Sequence, residues 1–234
     1  MPTLRRFSNS SRHHLLLAVD VLLKNADIIQ SYPEISRWIC SLQESHHQLI
    51  QALAAREYAI STHSRLVKEA EEAEKRADQT VVHLHQWLQM EGQRGDMQAV
   101  EADQMLFPKG VTEIVRLKGN SQMIRYQVFA SQLQLLSFSS ILQRHVENVQ
   151  QEISRFTHIL KEKNTCLQEK QQAIARALQA EQALEKILQK LDLLASLHLP
   201  PEVFSQWTRG LPAPRKYKKS EIGPEAAAPQ EKLS

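Results

Sequence analysis

Glycine and proline are scarce in this chain of 234 residues, which contains 6 glycines and 9 prolines. Both residues destabilise helix interiors more than any other residue does. Neither occurs from Glu34 to Glu91 or from Asn120 to Leu199, so both stretches are free to form long helices. Aromatic residues make up only 6% of the chain, while Gln, Glu, Lys, Leu and Ala are abundant. This composition is typical of long helices and argues against a compact globule.

Cysteine and long apolar runs are also nearly absent. Cys40 and Cys166 are the only cysteines, which indicates free thiols and a cytosolic or nuclear chain. No apolar run approaches the 18 residues of a transmembrane helix, so we predict no integral membrane segment. No glycine-rich phosphate loop, serine-nucleophile motif or metal-ligand spacing occurs, despite ten histidines. We therefore predict a non-enzyme without catalytic residues, small-molecule substrate, cofactor or metal.

The charge is uneven along the chain, although the formal net charge is only +3. Basic residues dominate both ends, which suits contact with an acidic surface such as tubulin, phosphoinositide or nucleic acid. The alternative is that the ends are disordered and merely aid solubility. At the N-terminus, Ser8 follows two arginines and is a candidate phosphorylation site, where a phosphate would add about −2 charge. The candidate contacts with an acidic surface near the C-terminus are Arg215, Lys216, Lys218 and Lys219.

The first 91 residues predict two helices behind a disordered basic segment, 1–11. The first helix spans roughly 12–30 and ends before Pro33, because the residue that precedes a proline disfavours helix. The second carries a heptad repeat of apolar residues from Ile35 to Leu88. Twelve of its sixteen a and d positions are apolar, and the exceptions are His46, Arg56, His63 and Glu74.

A third long helix is predicted over 120–199, with the cleanest repeat from Leu142 to Leu191. Twelve of its fifteen a and d positions are apolar, and the exceptions are Lys163, Lys170 and Glu181. Polar residues at such positions either select partners or extend from loosely packed layers to water. The seam supplies candidate partner-binding residues: Leu160, Leu167, Ile174, Leu188 and Leu191.

The connector 92–119 predicts irregular structure with a short helix over 97–107. A β-hairpin over 111–129 is the alternative, because Lys-Gly-Asn-Ser is a turn sequence between β-branched runs. After the long helix, Pro200 and Pro201 end the regular pattern. The segment 200–207 then forms a turn in which Phe204 and Trp207 either cap the bundle or anchor a partner. Residues 208–234 are predicted to be a disordered basic tail.

These patterns predict an all-α fold of elongated coiled-coil helices, arranged as a helical hairpin or bundle with disordered termini. The predicted function is a non-enzymatic coiled-coil adaptor or structural subunit of a larger assembly, with other coiled-coil proteins as partners in a homo- or hetero-oligomer. By analogy of architecture, a cytoplasmic, cytoskeletal setting is expected: centrosome, cilium, spindle or kinetochore. The alternatives are a membrane-associated trafficking tether and a nuclear, nucleic-acid-linked regulatory subunit.

Overall fold

A computed structural model describes residues 12–212 of the chain. Helices hold 87% of these residues, and no strand occurs among them, so the predicted all-α class is confirmed. The predictions for the two ends lie outside the described residues. They concern the N-terminal segment with Ser8 and, in the C-terminal tail, Arg215, Lys216, Lys218 and Lys219.

The described chain contains seven α-helices and a single 3-10 helix, and it divides into two compact units. The first unit comprises the described residues up to Ala55 and from Ile174 onward, and the second comprises Arg56–Ala173. The elements in chain order are α1 Arg12–Lys24, the 3-10 helix Ala26–Ile29, α2 Pro33–Gln93, α3 Met97–Leu106, α4 Thr112–Val115, α5 Gly119–Gln134, α6 Ser140–His198 and α7 Pro201–Trp207.

The structure interrupts the single helix predicted over 120–199 at residues 135–139, which separate α5 from α6. The Leu135 amide donates to the carbonyl of Gln132, which tightens the last turn of α5. Ser139 then precedes α6, and its carbonyl accepts the hydrogen bond from the Gln143 amide. Serine favours such helix boundaries because its side chain competes for backbone hydrogen bonds. The break allows α5 to fold back along α6, which a continuous helix could not do.

The predicted connector forms two short helices, and the alternative β-hairpin does not occur in the described residues. Asp96 begins α3 as an N-cap, because its side chain accepts hydrogen bonds from the amides of Gln98 and Ala99. Helix α3 ends at Leu106, which agrees closely with the helix predicted over 97–107. The proposed turn sequence contains Gly119, whose positive φ of 60° begins α5 instead of joining two strands.

The first unit is a bundle of α1, the start of α2 and the end of α6. At one end of α1, the Arg12 guanidinium pairs with Glu181 of α6 at 2.7 Å. Farther along, Asp20 lies 3.5 Å from the Nε2 of His46 in α2. The core consists of apolar side chains at helical spacing on all three helices, among them Leu15, Val19, Leu22, Ile35, Leu42, Leu49, Leu184, Leu188 and Leu191. Burial of these stripes holds the three helices together.

The second unit packs α5 between the remainder of α2 and the start of α6. The ring of Tyr126 meets Phe156 edge to face, with centroids 5.9 Å apart. Asn164 of α6 donates to the side chain of Asn120 at 3.1 Å, so α5 and α6 run antiparallel. Leu106 of α3, Phe107 directly after it and Ile114 of α4 cover this core. Its other members include Val81, Leu84, Leu88, Phe129, Leu142, Val146, Val149 and Ile153.

Trp207 of α7 closes the core of the first unit. Its side chain is fully buried, and its indole Nε1 donates to the Leu22 carbonyl at 3.1 Å. The side chain of Asn25 donates to the Trp207 carbonyl at 2.9 Å. Phe204 is half-buried against the same core. This geometry favours the cap over the partner anchor for Trp207, because a buried indole presents no surface to another protein.

The folded first unit also extends past the predicted start of the disordered tail at residue 208. Thr208 is buried, and its hydroxyl donates to the Phe204 carbonyl at 2.7 Å. Leu211 packs against the core of this unit. The positive φ of Gly210, 93°, lets the backbone turn between these two contacts. The tail predicted from residue 208 therefore has its first residues, up to Pro212, in ordered structure.

We expect Trp207→Ala to lower the free energy of unfolding by about 3–5 kcal/mol, because it removes a fully buried aromatic side chain. Trp207→Phe keeps most of the volume but leaves the Leu22 carbonyl without its donor, at a cost of about 1–3 kcal/mol. Urea unfolding measures both. As a control, Leu197→Ala alters a side chain that is 68% exposed and should change stability by less than about 0.5 kcal/mol. Unchanged stability in Trp207→Ala would contradict the capping role.

Candidate partner-binding surface

The structure separates the seam residues of α6 that sequence analysis grouped as partner-binding. Leu160, Leu188 and Leu191 are buried against other helices of this chain. Their side chains are not available to a partner in this conformation, because intramolecular packing covers them. Leu167 and Ile174 remain 38% and 39% exposed, although they occupy the same kind of heptad position.

Helix α5 packs against α2 and α6 in the second unit, but it covers only part of the seam between them. At the start of α5, Lys118 lies within 4 Å of Glu74 and Asp78, and Asn120 contacts Asn164. Residues of α2 before Glu74 and of α6 after Asn164 therefore lie beyond the end of α5. In this stretch α2 and α6 pair as two helices, which explains the exposure of Leu167.

The two-helix stretch carries basic residues where the rest of the seam carries apolar ones. In the second unit, the d positions in this stretch and directly next to it include His63, Lys163 and Lys170, which are half-buried, and the apolar Ala70, which is buried. The a positions between them remain apolar. We call this surface the basic seam and define it by six residues: Ile60, His63, Val67, Lys163, Leu167 and Lys170.

Positive charge accumulates in the basic seam. Partial burial, followed by the charges of Lys170 and Lys163, lowers the pKa of His63 below its usual value. Neither lysine forms an ion pair with a carboxylate of residues 12–212. Arg56 lies two turns before His63 at another d position, and its Nε is buried without a hydrogen-bond partner. The seam thus lacks anions to balance its cations.

A groove beside the basic seam has a different charge balance. Its lining pairs Arg65 with Glu69 at 3.0 Å and His158 with Glu162 at 3.6 Å. Cys166 is buried in its floor as a free thiol. Glu69 and Glu162 thus have partners within the groove, and neither forms an ion pair with Lys163 or Lys170.

Two polar clusters of the second unit escaped sequence analysis. In the first, Tyr126 and Gln122 both donate to the Asp78 carboxylate, and burial with this hydrogen bond raises the pKa of Tyr126. In the second, the Nδ1 of His85 lies 2.7 Å from Asp103, and Gln89 contacts the other ring nitrogen. Each cluster joins α2 to a following helix. Sequence spacing gave no signal for either, since the partners lie on different helices.

Residues 12–212 contain neither a cluster of metal ligands nor a membrane-spanning helix. No three or more His, Cys, Asp or Glu side chains in this part of the chain lie close enough to hold a metal ion. None of the helices described has the length and apolar character needed to cross a membrane. The basic seam combines the exposed apolar side chain of Leu167 with two lysines that form no ion pair in the described residues.

The lowered pKa of His63 predicts a loss of stability at acid pH. The unfolded state binds this proton more readily, so stability falls as pH decreases through the usual histidine pKa of about 6.5 and toward the folded value. We expect His63→Gln to reduce the difference between unfolding free energies at about pH 5.5 and about pH 8. Lys163→Gln with Lys170→Gln should reduce it in part, since burial is the larger cause. An identical pH dependence in wild type and His63→Gln would contradict this electrostatic account.

Comparison with known proteins gives no relative from which a function could be transferred. No protein-family model, no curated protein and no solved structure matches this chain. Functional inference therefore rests on the exposed heptad residues and on the charge of the basic seam.

Proposed function

We propose that this protein is a non-enzymatic coiled-coil adaptor or structural subunit of a larger protein assembly. The observation that carries the proposal is the exposure of Leu167 and Ile174, 38% and 39%, at a positions of α6. Apolar residues at such positions are covered by a facing helix in coiled coils. A helix from another protein is the simplest cover for them.

Heptad burial elsewhere in the chain supports the coiled-coil interpretation. On α2 the buried residues recur at predicted a and d positions such as Ala70, Ala77 and Leu84. On α6 the same holds for Val149, Phe156 and other core residues. The repeat matches much of the packed face, although Leu66, Ala73 and Cys166 are buried at other positions. Leu167 and Ile174 belong to the repeat and are exposed.

A cytoskeletal setting in the cytoplasm, at the centrosome, cilium, spindle or kinetochore, is the part of the proposal that comes from architecture alone. The identity of the partners tests it. A membrane-tether function has less support, because it requires a free apolar stripe on α1. The stripe residues Leu15, Val19 and Leu22 are buried in the first unit.

We expect Leu167→Ser with Ile174→Ser to reduce recovery of cross-linked partners from cells by about tenfold or more, because truncation of central interface residues costs more than 1 kcal/mol each. The same pair of changes should alter the unfolding free energy by less than about 1 kcal/mol, because both side chains are exposed. Quantitative mass spectrometry of the cross-linked complexes measures the first effect, and urea unfolding measures the second.

The matched control is Ile124→Ser with Val128→Ser. These two residues of α5 are 59% and 50% exposed but belong to neither predicted heptad repeat. The control should keep the partner set of the wild type. If Leu167→Ser with Ile174→Ser also retained every partner in undiminished amount, the proposed assembly through the α6 seam would be wrong.

A further inference from the structure

The charge of the basic seam restricts the partner that can cover it. Lys163, Lys170 and His63 occupy positions that face the partner in a coiled coil. A neutral apolar helix would remove water from the two lysine ammonium groups without supplying a counter-charge, which is costly. A suitable partner therefore brings carboxylates to the same layers as the lysines.

A second copy of this chain does not meet that requirement. If two copies packed through their basic seams, Lys163 and Lys170 of one copy would face the same lysines of the other. Like charges in facing core layers oppose association and are a common means of excluding homodimers. The seam therefore favours a different protein as its occupant.

The spacing of apolar residues in the seam favours a helix over a nucleic acid or another polyanion. Ile60 and Val67 are seven residues apart on α2 and alternate with His63. On α6, Leu167 lies between Lys163 and Lys170. A helix with a heptad repeat places an apolar side chain and then a charged one at these same intervals. A polyanion would use the cations but leave Leu167 and Ile60 without apolar contact.

We infer that the basic seam binds an acidic amphipathic helix of another protein. Apolar side chains of that helix pack on Ile60, Val67 and Leu167, and its Asp or Glu side chains pair with Lys163 and Lys170. The inference deepens the proposed function by naming the chemistry of the partner, and it rests on that function.

Binding of two designed helical peptides to the full chain tests the inference. The first peptide has four heptads, about 28 residues, with Leu at a and Glu at d. The second is identical except for Gln at d. Fluorescence anisotropy should show that the Glu peptide binds at least about tenfold more tightly than the Gln peptide, with a difference that shrinks as salt rises.

Lys163→Glu with Lys170→Glu should weaken binding of the Glu peptide by at least about tenfold, because the carboxylates then face like charge. The matched control is Lys68→Glu with Lys75→Glu, which makes the same charge change at two exposed residues of α2 outside the a and d positions. This control should bind the Glu peptide within about twofold of wild type at moderate salt. Circular dichroism of both variants verifies that the helices are retained.

Several outcomes would overturn the inference. They include absence of Glu-peptide binding up to its solubility limit, equal binding of the two peptides, and equal loss in both lysine variants. A DNA duplex that displaces the Glu peptide, with affinity unchanged by Leu167→Ser, would identify a polyanion site instead. A wild-type dimer that Lys163→Glu with Lys170→Glu dissociates would identify a second copy as the occupant.

The cellular cross-linking experiment separates failure of this inference from failure of the proposed function. If the Glu peptide does not bind but Leu167→Ser with Ile174→Ser still loses its partners, only the acidic character of the partner is wrong. If the variant also keeps all its partners, the proposed function fails as well.

Discussion

Two long helices, α2 and α6, each carry an apolar stripe along most of their length, and burial of both stripes is the constraint on which the rest of the structure depends. The first unit adds α1 and the second adds α5, because a pair of helices leaves much of each stripe in contact with water. The smaller elements also bury parts of these stripes. Trp207 closes one core by filling it with a large apolar side chain, while α3 and α4 extend the cover of the other.

The basic seam lies where this constraint is relaxed. At and beyond the end of α5, the a positions stay apolar while the d positions include the basic residues His63, Lys163 and Lys170. The lysine side chains can extend their amino groups to water while their methylene chains cover apolar neighbours. The same arrangement destabilises a close approach of any helix that lacks carboxylates. In the proposed complex, the same layers affect both the stability of the isolated chain and the choice of partner.

The packed faces of α2 and α6 could be predicted from sequence, because heptad spacing alone places residues such as Leu84 and Phe156 on the buried side. The break at residues 135–139 could not, since it contains neither glycine nor proline and depends on how α5 folds back along α6. The role of Trp207 depended on a contact with Leu22, far away in sequence. The charged residues of the basic seam could be identified from sequence as exceptions to the heptad repeat. That His63 faces both lysines requires the register of antiparallel helices, which periodicity does not specify.

The division of the chain into units also orders its assembly during synthesis. The second unit is one contiguous segment, Arg56–Ala173, whereas the first combines residues from both sides of that segment. The hydrogen bond from Trp207 to Leu22 joins residues separated by 185 positions. Domains fold as units while the chain emerges from its N-terminal end, so the inner segment is complete before its flanking unit can be. Helix α1 is made before the end of α6 and before α7, so its apolar stripe lacks part of its native cover until those helices are made. During that interval the stripe offers a binding surface to a nascent-chain chaperone.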